Sequence, residues 1–215
     1  GLSRQSDVSG LSVKLEIQVA GKVPVSAHTE AGSVTVLDTG SSCRVQTASG
    51  DLHLRGLDGT VELSGHSGDL WMEKCTCSNM VVETKSGDLK LEELKGNLNA
   101  RTASGDVRLR ACQGKTLSLE TVSGTVTADF RDPITGGLNL RTVSGSVQLD
   151  IADGSDCRVS LSTLRGMVAC EVELADEARS EGRITGRLGE GGGTLDASAV
   201  SGDITLRLRD SGNEA

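Results

Sequence analysis

A three-residue corner, Ser-Gly-Asp or a close variant of it, returns along this chain at a nearly constant interval. Its glycines are Gly32, Gly50, Gly68, Gly87, Gly105, Gly124, Gly145 and Gly166, spaced by 18, 18, 19, 18, 19, 21 and 21 residues, with another copy at Gly202. Periods near 20 are those of solenoids, whose repeats cannot bury an apolar face alone but can bury it against the next repeat. Between corners the chain alternates: in Ser86–Asp106, Leu89 and Leu91 alternate with Asp88 and Lys90, and Leu98 and Ala100 with Asn99 and Arg101. Side chains on a strand point alternately to opposite faces, so each segment has an inner and an outer face.

Aligning the corners gives columns. Two residues after the glycine stand Leu52, Leu70, Leu89, Val107, Val126, Val147, Val168 and Ile204, and further inward columns run four after, five before and seven before it. Three before the glycine stand Thr29, Thr47, Thr84, Thr102, Thr121, Thr142 and Thr163, with Gly65 the exception. This column shares the inward parity, and its hydroxyls are expected to hydrogen-bond along the ladder. Outward, Glu83, Arg101, Glu120 and Arg141 alternate in sign on successive coils. With coils about 4.8 Å apart, opposite charges meet across neighbouring strands and a one-coil slip brings like charges together.

The pattern predicts one all-β domain, a parallel β-solenoid over residues 11–209 with 18–21 residues per coil and about nine or ten coils. Residues 1–10 read as a loose lead-in and 210–215 as a disordered tail. Leu11–Val19 is the longest alternating run, expected to cap the first coil or pair along the stack. Residues 173–195 form an irregular coil: Ala175–Gly182 reads as a loop or a helical turn, and Gly189–Gly193 as flexible.

One Phe, one Trp and no Tyr among 215 residues imply a thin core of stacked Leu and Val. A net charge of −8 disfavours nucleic acid as a partner. No apolar run is long enough for a membrane span. No leader pattern opens the chain, which begins with Gly rather than Met and so leaves room for residues trimmed ahead of it. Of six cysteines, Cys43 and Cys170 replace core aliphatics, and Cys75 and Cys112 share a column with Leu57 and Leu94. Unpaired thiols favour the cytoplasm, with the cell envelope as the alternative. Cys75-x-Cys77 is a weak zinc pattern, and neither a metal nor another cofactor is expected.

The candidate binding residues are Asp51, Asp69, Asp88, Asp106 and Trp71. The four carboxylates fall on successive coils and repel at that spacing by about 1 kcal/mol in water. Local backbone N–H groups in an Asx-type turn are expected to offset this. The competing reading is a calcium ladder, which needs six or more oxygens per ion. Trp71 lies in the outward column three after the corner glycine, as a contact residue or packed on Lys90. No nucleophile elbow or phosphate loop is present, so no catalytic residue is assigned. The enzyme alternative is a polysaccharide-active β-helix using Asp69, Asp88, Lys90 and Arg108.

The blocks TASGDLHL, TKSGDLKL, TASGDVRL and TVSGTVTA resemble an adhesin family built of repeated Ser-Gly-Asp-(Leu/Val) β-strand units. The resemblance covers residues 32–166 and 201–208. It implies a right-handed single-stranded β-solenoid and carries over no catalytic residue. The expected function is a non-catalytic scaffold or adhesin-like binding module with a protein or cell-surface partner, able to self-associate end to end through open strand edges.

Overall fold

The computed structural model describes residues 22–209, so the Leu11–Val19 run and the two expected terminal segments at 1–10 and 210–215 lie outside the described residues. Each coil is one long strand, a glycine corner and one short strand. The first three coils are β1 (Val25–Ala31) with β2 (Val34–Leu37), β3 (Cys43–Ser49) with β4 (Leu52–Arg55), and β5 (Asp58–Ser67) with β6 (Leu70–Glu73). The next two are β7 (Thr76–Ser86) with β8 (Leu89–Glu92) and β9 (Lys95–Ser104) with β10 (Val107–Arg110). The sixth and seventh are β11 (Thr116–Ser123) with β12 (Val126–Asp129), and β13 (Gly137–Ser144) with β14 (Val147–Ile151). Then follow β15 (Cys157–Arg165) with β16 (Val168–Cys170), the strands β17 (Ala175–Ser180) and β18 (Arg183–Leu188), and β19 (Gly193–Ser201) with β20 (Ile204–Leu208).

The long strands form an 11-stranded sheet and the short strands a 9-stranded sheet. The coils stack in parallel register, one residue of a column over the next: Leu98 pairs with Leu117, which pairs with Leu138. The inward columns are buried as the alternation predicts, forming one continuous core between the two sheets. Among the described residues there is no helix. The protein is therefore an all-β parallel solenoid.

The corner requires glycine for two reasons at once. Gly105 has φ +138°, a region closed to side chains, and a Cβ on it would collide with the Gly87 carbonyl of the coil beneath. The same close approach recurs from Gly50 upward, so the corners stack backbone on backbone. The Thr column is buried beside them. Its hydroxyls donate to corner carbonyls rather than to each other: Thr84 to Ser86 O at 3.2 Å, Thr121 to Gly105 O at 3.3 Å and Thr142 to Gly124 O at 3.2 Å. The expectation of a hydroxyl-to-hydroxyl ladder is corrected on this point. A corner carbonyl, with two lone pairs, is within reach of each of these hydroxyls. The outward charges do pair across coils, with Arg101 lying 4.0 Å from Glu83 and 3.0 Å from Glu120.

After the seventh coil, chain order and stack order part. The long strands run β13-β19-β15-β18-β17 and the short ones β14-β20-β16. The last described strand pair is thus inserted between the seventh coil and β15–β16, giving nine layers among the described residues, seven of them in chain order. β17 and β18 form an antiparallel hairpin on the outer edge of β15. The Ala175–Gly182 stretch is therefore neither loop nor helical turn. Nor are the glycines before β19 loose: Asp156 Oδ1 accepts the N–H groups of Gly191 at 2.6 Å and Gly192 at 3.1 Å. The backbone hydrogen bonds of the open stack end demand a partner, and the hairpin supplies it.

Candidate functional site

The outer face of the short-strand sheet brings the candidate residues together on β4, β6, β8 and β10. Asp51, Asp69, Asp88 and Asp106 stand in one row directly after the corner glycines. Each carboxylate reaches one coil along the stack. Asp51 Oδ1 accepts the Asp69 N–H, Asp69 Oδ1 that of Asp88, Asp88 Oδ1 that of Asp106, and Asp106 Oδ1 that of Thr125, all at 2.9 Å. The donors belong to the next coil, not to the residue's own turn, which corrects the expected Asx turn. The corner bends a backbone N–H outward, and the carboxylate of the coil below is the acceptor within reach. Arg108 further offsets the repulsion, lying 3.6 Å from Asp88 and 3.2 Å from Asp106.

Beside this row runs His53, Trp71, Lys90 and Arg108, set opposite one another by strand register. The His53 and Trp71 rings stack with centroids 4.6 Å apart and planes 16° from parallel. The Lys90 ammonium lies 4.6 Å from the Trp71 ring centroid on the next coil. Trp71 thus packs on Lys90, one of its two expected roles, and also on His53 of the preceding coil. A cation over an aromatic face contributes about 0.5–1 kcal/mol at an exposed site. With Trp71 between its strand neighbours, the 38% of it that stays exposed is no open stacking platform. A third row carries Arg55, Glu73 and Glu92. Glu73 lies 3.6 Å from Arg55 and 3.8 Å from His53 Nε2, and Glu92 lies 3.6 Å from Lys90.

Asp69, Asp88, Lys90 and Arg108 do share this patch, as the enzyme alternative asked. Arg108 is paired with Asp88 and Asp106, and Lys90 with Glu92, however, and the sheet surface around them is a ladder rather than a cleft. A cavity of about 290 Å³ lies elsewhere, lined by Cys112, Gln113, Phe130, Ile134 and Leu138. It opens where the coil lengthens to 21 residues between Gly124 and Gly145. That change of period was its only signal in the sequence.

The six cysteines are free thiols, five of them buried and Cys170 half-buried. Burial pushes Cys43 and Cys157 up to about 11, and Cys77 and Cys112 up to about 12. They are neutral, unreactive members of the core. Among the described residues no three His, Cys, Asp or Glu side chains are grouped to hold a metal ion.

Stacked coils, a continuous aliphatic core and a flat outer ladder define a parallel β-solenoid repeat protein. The chain belongs to the Toastrack DUF4097 family, which matches residues 14–207. Neither an adhesin role nor a Ser-Gly-Asp signature comes with that match. No curated protein and no solved structure matches the chain.

Proposed function

We propose that the protein is a non-catalytic binding module whose recognition face is the outer side of the short-strand sheet, centred on Trp71 and the Asp51–Asp106 row. The observation that supports this is the fixed geometry of that face. The carboxylate row is pinned coil by coil through backbone N–H groups, so its charges are held in place before any partner arrives, which lowers the entropy lost on binding. Asp51 and Asp69 have no ion-pair partner among the described residues, and they stand in the row beside that of Trp71 on the same face. The matching partner is an extended chain with cationic groups, a basic peptide segment or an amino-bearing cell-surface glycan, as an adhesin-like role requires.

End-to-end self-association is the weaker part of this reading. At one end β17 is charged and exposed along its length, and β16 is only three residues long. Both are devices that blunt a strand edge.

Trp71 is the single tryptophan of the chain, so its emission reports on this face alone. Titration with a lysine-rich extended peptide and with chitosan oligomers is expected to shift Trp71 fluorescence for at least one of them. Asp51→Asn with Asp69→Asn is expected to weaken that response several-fold. If neither probe moves the emission, the face is wrongly assigned.

A further inference from the structure

The gap between the seventh coil and β15–β16 is a site in its own right. Two strand pairs of one chain carry the same inward pattern, and the one later in sequence, β19–β20, lies against β13–β14. β15–β16 brings Val159, Leu161, Thr163 and Val168, and β19–β20 brings Leu195, Ala197, Ala199 and Ile204, in matching register. Their corner glycines stack alike, Gly202 against the Gly145 carbonyl and Gly166 against that of Gly202. β15–β16 precedes β19–β20 along the chain, yet among the described residues it joins the body of each sheet only through β19–β20. Until the last strand pair docks, the gap is an unfilled slot with unpaired backbone groups on both walls.

The bonds that hold β19–β20 are sheet bonds. On one wall Gly145 N–H donates to Ser201 O at 2.9 Å and Val147 N–H to Asp203 O at 2.8 Å. On the other, Gly202 N–H donates to Arg165 O at 2.8 Å and Ile204 N–H to Met167 O at 2.9 Å. The Thr163 hydroxyl donates to Gly202 O at 2.8 Å, while Arg207 pairs with Glu171 at 3.1 Å and Arg209 with Asp129 at 2.9 Å. Every one of these contacts is the same whichever chain supplies the strands. What distinguishes a strand pair of the same chain from that of a neighbour is the crossing at residues 189–192, with its hydrogen bonds to Asp156, and the pairing of β18 on β15 that this short crossing permits.

We propose that this slot is a strand-acceptor site, and that residues 193–209 of a second copy fill it when two chains fold together, giving a strand-exchanged dimer. The crossing from β18 to β19 reaches at most about 17 Å, enough to pass over β15 but too short to enter another molecule. Exchange therefore lifts β17–β18 off β15 and uses residues 171–192 as the tether. The chain's own strand pair competes at an effective concentration of about 1 mM, so the exchanged form grows with the concentration at which the protein folds.

Ser162 and Ser198 are register partners on β15 and β19, both half-exposed on the outer face. A full-length Ser162→Cys chain and a full-length Ser198→Cys chain, refolded together and treated with a short bis-maleimide, test the proposal. A covalent dimer is expected, several-fold above the background of the unmutated chain, and rising as the refolding concentration goes from about 10 μM toward about 1 mM. The same two substitutions on one chain are expected to cross-link within the monomer. A mixed pair no better than background at every concentration overturns the exchange. A double variant that fails to cross-link internally overturns the slot itself, since β19 then does not lie beside β15.

Discussion

The second to seventh coils and the last two layers are built from the same columns, yet only the first group stacks in chain order. In the body, each coil follows its predecessor after 18 to 21 residues, and the nearest free edge is always that of the coil just made. At the C-terminal end the next coil in sequence leaves one layer vacant, and the chain turns back through a hairpin to fill it. The column pattern guarantees that a segment fits the stack. It does not say at which level. Where two segments fit equally, the connections decide, and here the short crossing anchored on Asp156 favours insertion.

The sharpest way to break the body is at a corner. Gly105→Ala places a methyl group against the Gly87 carbonyl at φ +138°, in a stack that cannot open at one coil without opening at the next. A loss of about 4 kcal/mol or more is expected, measured by urea unfolding. Gly32→Ala separates the two causes. Gly32 has φ +116° but, among the described residues, nothing within 4 Å of the added carbon, so backbone strain of about 1–3 kcal/mol is the expected loss. Equal losses for the two variants would show that close stacking of the corners contributes nothing.

Gly202→Ala makes the same collision in the inserted layer, against the Gly145 carbonyl. Here the consequence should stay local. β19–β20 is expected to leave the slot, releasing residues 157–188 with it while the seven ordered coils remain folded. Limited proteolysis would then cleave within residues 152–192 and leave a resistant fragment ending near Ile151. Cooperative loss of the whole chain, as in Gly105→Ala, would mean that the last layers are not a separate unit.

How much of this was readable from residues alone follows from the same contrast. Columns, corners and buried strands were legible because each member of a column meets the same neighbours, and the packing of Trp71 on Lys90 followed from their shared column. His53 stands in that column too, one coil below, and could have been named. The insertion was not legible, because β15 and β19 carry interchangeable patterns. β17 was missed because a strand exposed along its whole length has no apolar alternation to betray it. For the Asp row, the spacing announced the ladder, but the donor on the next coil depends on how the corner bends, which composition does not encode.

The smallest expected effect concerns what holds the inserted layer at its entrance. The N–H groups of Gly192 and Gly191 on Asp156 hold its carboxyl below the usual carboxylate range. A depressed value in the folded state means that the ionised form is favoured there. Its contribution is therefore complete above the unfolded value of about 3.9 and is lost as pH falls below it. Asp150, close to Asp129, is shifted upward chiefly by burial and acts in the opposite sense, gaining as acid neutralises it. The net response of the whole chain to acid is thus mixed, and only a local measurement isolates the entrance. Hydrogen exchange of residues 157–208 relative to residues 52–151, after correction for the intrinsic rate, should rise between pH 5 and pH 3. In Asp156→Asn, which keeps an acceptor oxygen but cannot titrate, that relative rise should be smaller, with slightly weaker protection at pH 7. If the two proteins respond to acid alike, Asp156 does not hold the crossing loop, and the preference for insertion has to come from the strand contacts alone.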